Sequence, residues 1–366
     1  MLRPWILVWI LLVPHLAWAQ SNQPLESLLQ RVDAVAESQI QEQQLVSLCV
    51  GIIQQGKVVG LRAYGFEDRE NQLPATKQTM YRWASVSKPL TAIAALQLVE
   101  QGKLDLDDDV RKYVPEFPDH GHKVTVRNLL CHQSGIVHYQ NGKVIPVKRE
   151  YASPHPFENV VVALDTFGNS PLVHPPGEKF SYSTHAYILL SAVVERAGKQ
   201  RFADQVKERI CEPLGMNTLQ PDYQWLDIPH RAAGYFLTKP EGKIKRSSDT
   251  DVSWKLGGGG YLSNIEDMTK FALGLMGDQL IQPETKQAMW TRQPLSDGSL
   301  TRIGLGIYVV EKNGQVETVS HNGAQEKTRT RLVVWPSKRQ GIVVMTNSQN
   351  ADLTRVTRLL AKAIDP

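Results

Sequence analysis

Three cysteines in a chain of 366 residues leave no disulfide framework. Cys49, Cys131 and Cys211 each sit among apolar residues, the setting of buried free thiols. The apolar run Trp5–Val13 is broken by Pro14 and His15. It falls short of the roughly 20 residues that a membrane-spanning helix needs, and nothing later in the chain is longer. Charge of one sign is also missing. Lysine and arginine number 41 against 37 acidic residues, a net charge of +4, with both signs mixed along the chain. Without a basic stripe, nucleic acid is excluded as a partner class. No G-x-S-x-G elbow is present, which argues against an α/β-hydrolase. There is no H-E-x-x-H, and His120-Gly121-His122 has no ligand-bearing continuation, so neither a metal nor another cofactor is expected. Gly257–Gly260 lacks the Gly-Lys-Ser/Thr of a phosphate loop and reads as close backbone packing. The acids Asp105, Asp107, Asp108 and Asp109 read as a solvated turn. No internal repeat is visible.

What remains is an ordinary globular composition, 42% hydrophobic and 21% charged. Arg3, the apolar run and Ala17-Trp18-Ala19 have the order of a cleavable export signal over residues 1–19, which predicts a periplasmic or secreted mature chain from Gln20. Leu25, Leu28, Leu29, Val32 and Val35 recur at helical spacing, giving an amphipathic first helix. Residues 46–64 predict two strands around a Gln-Gln-Gly-Lys turn. Helices are predicted at 125–132 with Thr125 as N-cap, and at 183–197, 202–211, 264–276 and 283–291. Residues 141–175, rich in proline, read as a long surface excursion. Strands follow at 304–311, 316–320, 329–335 and 341–346, then a last amphipathic helix through Leu353, Val356, Leu360 and Ile364. Strands at both ends and helices between them imply an α/β (α+β) fold. One antiparallel sheet would be built from residues of about 20–64 and 300–366 and flanked by helices. A mostly helical part, about 65–299, would be inserted into a single domain.

The stretch RWASVSKPLTAIAALQLVEQG, residues 82–102, carries the chemistry. A helix apolar all round is a buried one. Ser85 and Lys88, at i and i+3, share a face at its start. Burial disfavours an ammonium, so a lysine there is pushed toward its neutral form, a general base beside a hydroxyl nucleophile. Pro89 fits only if it lies in the first turn. This is the chain's only S-x-x-K.

Together with other segments in order, Ser85-Val86-Ser87-Lys88 resembles the serine beta-lactamase and penicillin-binding protein superfamily, in its class C-like branch, nearest to the LACTB-type serine proteases. Pro176-Gly177-Glu178-Lys179-Phe180-Ser181-Tyr182-Ser183-Thr184 is similar to the second, Tyr-x-Asn motif with its lead-in. His321-Asn322-Gly323 stands for the Lys/His-Thr/Ser-Gly strand motif. Leu129–Ile136 and Gly258–Ser263, the latter led in by Trp254-Lys255, resemble two further segments. The resemblance covers roughly residues 25–365.

It implies a beta-lactamase/transpeptidase-like fold and a serine hydrolase that forms an acyl-enzyme on a small peptide or ester. The alternatives are a beta-lactamase of weak turnover, or a penicillin-binding or assembly protein of the same fold with impaired catalysis. It implies Ser85 as nucleophile, with Lys88 and Tyr182 sharing the proton transfers in either order. Tyr113 and Tyr139 are rival tyrosines without the lead-in. The backbone N–H groups of Ser85 and Ala324 would form the oxyanion hole, with His321, Asn322, Gly323 and Thr184 as substrate-binding positions. Thr184 in place of Asn reaches less far and weakens amide reading, which favours peptide or ester over lactam. Asn322 replaces a hydroxyl, and His321 would attract a substrate carboxylate when protonated.

Overall fold

The computed structural model describes residues 23–365. The leader expected over residues 1–19 lies outside them. The chain opens with helix α1 (Gln23–Gln43), then hairpin β1 (Ser47–Gln54) and β2 (Lys57–Asp68), and a short β3 (Leu73–Pro74). Gln55 and Gly56, at φ +52° and +73°, make the two-residue turn whose left-handed backbone matches strand twist. Strands β4 (Tyr308–Lys312), β5 (Gln315–Gln325), β6 (Thr328–Trp335) and β7 (Gln340–Thr346) come after the helical middle. The seven-stranded sheet runs β3-β2-β1-β7-β6-β5-β4, antiparallel throughout, so the N- and C-terminal strands meet at β1 and β7.

Period-two alternation explains the two-sided burial. Leu48, Val50 and Ile52 of β1, with Ile342 and Val344 of β7, face α1 and the last helix α5 (Leu353–Ile364). Cys49, Ile53, Val343 and Met345 face the helical part. There α2 (Ser87–Glu100), α3 (Thr184–Gly198) and α4 (Ile265–Met276) form the main core. Every residue of α2 from Ser87 to Leu98 is buried, as an apolar-all-round helix requires. Pro89 lies in its first turn, where the missing N–H costs no helix bond. Thr125 caps Val126–Leu130 in a reciprocal pair with Asn128. Ser183 and Asn264 cap α3 and α4 through their side-chain oxygens.

Three readings change. Residues 141–175 are not all surface, because Val160, Ala163, Leu164 and Phe167 enter the main core on short 3₁₀ turns too brief for a periodic signal. The strand expected from 304 begins at Tyr308, since Gly304–Gly306 turns, with Gly306 at φ +86°. β5 runs five residues past 320. The acids at 105–109 cap and pair locally, Asp107 with Arg127 and Asp108 with Lys112. The three cysteines are free and buried, and burial pushes each thiol up to about 12, so none is a nucleophile at neutral pH. Among the described residues no helix is long and apolar enough to cross a membrane.

Candidate active site

Ser85 sits in the 3₁₀ turn Ala84–Val86 that leads into α2. The turn is held from both sides. Trp83 donates its backbone N–H to the Tyr261 carbonyl at 2.7 Å and its indole N–H to Ser263 at 2.7 Å, and its carbonyl accepts from Thr330 of β6 at 2.8 Å. Ala84 is fixed at φ +48°, a left-handed conformation that costs an alanine about 1 kcal/mol or more. Ser85 is half-buried, whereas its neighbours Val86, Ser87 and Lys88 are fully enclosed.

Lys88 Nζ lies 3.2 Å from Ser85 Oγ and 3.2 Å from Thr184 Oγ1, and donates to the Gly258 carbonyl at 2.7 Å. Nζ also stands 4.9 Å from the centre of the Tyr182 ring and 5.6 Å from that of Tyr187. Among the described residues it has no carboxylate partner. Burial, then the charge of Lys255, drives its pKa well below the usual lysine value. Gly257 and Gly258 bring that carbonyl close, since a Cβ on either would stand under 3 Å from Ser191 or Thr184.

Tyr182 lies against this group. Burial raises its phenol above the usual tyrosine value, while contact with the Ser85 hydroxyl opposes the rise. Its ring packs at 4.2 Å, tilted by 35°, on His132, whose Nδ1 accepts from the Ser183 N–H at 3.2 Å. The Thr184 N–H donates to His138 Nδ1 at 3.2 Å. Burial holds His132 far below the ordinary histidine value and lowers His138 and His185 to about 4, so this wall is imidazole rather than imidazolium. These histidines were not singled out in the sequence as site residues. His132 stands inside the Leu-Leu-x-His segment, so a signal was present.

The strand motif is only partly a site motif. Alternation along β5 turns His321 and Gly323 inward and Asn322 and Ala324 outward. Asn322 pairs through its side chain with Arg331, which in turn donates to Thr357 of α5, so it is not a substrate-binding side chain here. His321 is buried, and its Nδ1–H donates to the Asn322 carbonyl at 2.8 Å. Burial, then Lys88, pushes it down to about 3, so it stays neutral where a carboxylate would need a cation. The expected outcome is that KM for a carboxylate-bearing substrate shows no histidine step between pH 5 and 8, against the step a protonated His321 would give. Thr184 is buried with its hydroxyl on Lys88, away from the cleft surface.

Gly323 is where β5 meets the nucleophile turn. A Cβ there would stand 2.0 Å from Thr330 Oγ1 and 2.4 Å from the Trp83 carbonyl. Gly323→Ala is expected to cost about 1–3 kcal/mol by overpacking and to lower acylation by shifting Ser85 against Ala324. Denaturant titration and single-turnover labelling read the two effects. The pairing of β5 with β4 ends at Ser320–Tyr308, so the edge of residues 321–325 is left without a strand neighbour beside Ser85.

Two clefts flank the centre. One, about 610 Å³, is lined by Ala324, Gln325, Tyr139, Trp254, Lys255 and Arg329 among others. The other, about 500 Å³, lies between Phe180, Leu295, Leu300, Thr301, Arg302 and Tyr308. Tyr139 therefore lines a cleft wall, while Tyr113 donates to Asp108 at 2.6 Å in the acidic turn.

A half-open serine with a buried, uncharged-leaning lysine and a tyrosine at its hydroxyl is the arrangement of a serine acyl-transfer enzyme. The beta-lactamase family model matches residues 32–364, and the chain belongs to that family as a serine hydrolase of the beta-lactamase and penicillin-binding protein fold. It is similar to the mitochondrial serine beta-lactamase-like protein LACTB of Homo sapiens, 30% identical over 80% of this chain and 69% of the relative. It is also similar to penicillin-binding protein 4* of Bacillus subtilis, 25% identical over 80% and 66%. Among solved structures, the octameric penicillin-binding protein homologue of Pyrococcus abyssi superposes with TM-score 0.76 at 26% identity, covering 92% of this chain and 77% of that one. EstCE1, a hydrolase with promiscuous acyltransferase activity, shares the fold with TM-score 0.78 at 23% identity, covering 94% and 100%.

Proposed function

We propose that the protein is an exported serine hydrolase that opens a peptide or ester bond through an acyl-enzyme on Ser85. The observation that carries this is the three-point environment of Lys88. A neutral amine has two N–H groups and one lone pair. The Gly258 carbonyl and the Thr184 hydroxyl take the two N–H groups, which leaves the lone pair for the Ser85 hydroxyl. Lys88 is then the base that deprotonates Ser85. Tyr182, whose phenol is held protonated and has no nearby full cation to stabilise a phenolate, hands a proton to the leaving group. The backbone N–H groups of Ser85 and Ala324 would receive the oxyanion. Deacylation runs the sequence in reverse with water in the leaving group's place: water gives its proton up through Tyr182 and Lys88 as it attacks the acyl carbon, and Lys88 returns a proton to Ser85 Oγ as the ester bond breaks.

Peptide or ester is favoured over lactam because the Thr184 hydroxyl, which accepts from Lys88, reaches less far than an amide and the outward Asn322 adds no contact. The rival is a binding protein of this fold without turnover. A fluorophosphonate probe with wild type and Ser85→Ala, followed by turnover assays on short-chain esters, D-amino-acid peptides and nitrocefin, separates them. Labelling at Ser85 with ester or peptide turnover is the expected result. Absence of labelling would overturn the reading, and labelling without turnover would favour the binding protein. Export rests on the order of residues 1–19, and N-terminal sequencing of native protein that found Met1 intact would refute it.

A further inference from the structure

Tyr182 has to face the leaving group, because that group departs with the proton Ser85 gave up. On the acyl-transfer reading above, the space beyond Tyr182 therefore belongs to the leaving group. Phe180, two residues earlier on the same segment, opens that space, and its ring meets His132 edge-on at 5.9 Å. Tyr308 closes it from the sheet side and packs at 5.5 Å on His321. The far wall is the turn that carries Leu295 and Leu300. This turn is fixed to the Tyr182 lead-in: the Ser296 N–H donates to the Gly177 carbonyl at 2.9 Å, and the Gln133 amide donates to the Pro294 carbonyl at 3.0 Å. Gly177 in turn donates its N–H to the Gln133 carbonyl at 2.8 Å, closing a ring of bonds that ties the turn to the lead-in.

The chemistry of this cleft is apolar apart from one exposed cation. Phe180 is 39% exposed and Leu300 56% exposed, large apolar surfaces beside a reaction centre. The Thr301 hydroxyl is turned inward onto the Gln293 carbonyl at 2.9 Å. His321, buried behind Tyr308, carries no charge at neutral pH. The one cation among the lining residues is Arg302, which is exposed at the rim, where solvent screens it.

We propose that the cleft between Phe180 and Leu300 seats the leaving group, and that the preferred leaving group is an uncharged alkyl or aryl alcohol or amine rather than a carboxylate-bearing one. In the step, Ser85 Oγ bonds to the acyl carbon and the bond from that carbon to the leaving oxygen or nitrogen breaks. The proton of Ser85 moves to Lys88, Tyr182 delivers its own proton to the leaving atom, and Lys88 passes its extra proton back to Tyr182, so the leaving group departs as the neutral alcohol or amine and both residues end in their starting states.

The test is a series of esters with one acyl group and methyl, propyl, butyl and hexyl leaving groups, plus an ester of 6-hydroxyhexanoate that ends in a carboxylate. A buried methylene is worth up to about fourfold, so kcat/KM is expected to rise about two- to fourfold per methylene from methyl to butyl. The carboxylate-ended ester should fall at least tenfold below the hexyl ester. Leu300→Asn and, separately, Leu295→Asn should flatten the hexyl-to-methyl ratio measured within each variant. Both positions lie on a surface turn, and fluorophosphonate labelling of each variant reports that its centre is intact. A flat series with Ser85 labelled normally would overturn the leaving-group assignment alone. Loss of labelling in the wild type would instead overturn the acyl-enzyme reading. A carboxylate-ended ester that outperforms hexyl, with the advantage removed by Arg302→Gln, would also overturn the assignment.

Discussion

Lys88→Met should lower the rate of Ser85 acylation by about 10²–10⁴, the usual contribution of a positioned general base. Methionine keeps much of the lysine's length and volume, so the helix packing around it is preserved. What it removes is the lone pair 3.2 Å from Ser85 Oγ. The pH profile gives a second readout. Burial and Lys255 lower the Lys88 pKa, and the neighbouring His132, His138, His185 and His321 are themselves held low. Only the neutral amine accepts a proton, so acylation should be lost as pH falls through that depressed pKa and be complete above it. In Lys88→Met this acidic limb should vanish along with the rate. The comparison is made by stopped-flow labelling from pH 5 to 9 on protein whose circular dichroism matches wild type. An unchanged acylation rate would exclude Lys88 as the base and return it to a packing role.

Most of the architecture was legible in the sequence because each element announced itself locally. The hairpin at 47–68 has its Gln-Gly turn, α2 has its unbroken apolar run, and the helices expected at 183–197 and 264–276 are found as α3 and α4. The sheet partners β1 and β7, nearly three hundred residues apart, follow from two apolar runs that are buried on both faces. The burial of Lys88 was legible for the same reason, since a lysine that opens a wholly apolar helix must be desolvated. What was not legible depends on facing. Asn322 and His321 are adjacent letters, and only the strand's register decides that one meets Arg331 and the other is entombed beside Tyr182. The charge of His321 could not be read either, because it is set by burial and by Lys88, 233 positions away in the sequence. The core contribution of Val160–Phe167 escaped because its one 3₁₀ turn, Val162–Thr166, is too short to repeat an apolar pattern.

Tyr182→Phe should also lower acylation by about 10²–10⁴ while leaving the fold intact. The ring keeps its packing on His132 at 4.2 Å, and only the hydroxyl is lost. If Tyr182 merely packs, this substitution is nearly silent in both rate and stability. If it delivers the leaving-group proton, the loss depends on how badly the leaving group needs one. An amine or alkoxide leaving group should suffer the full loss. A p-nitrophenolate, stable as an anion, should suffer far less. Lys88 acts earlier, on Ser85 itself, so Lys88→Met should slow both substrates alike. The double variant should lose much less than the product of the two single losses, because one proton path serves both residues. Burst kinetics with an alkyl ester and a p-nitrophenyl ester of the same acid make the measurement. Equal losses for the two esters in Tyr182→Phe would take proton delivery away from Tyr182. A wild-type rate with both would remove it from the mechanism.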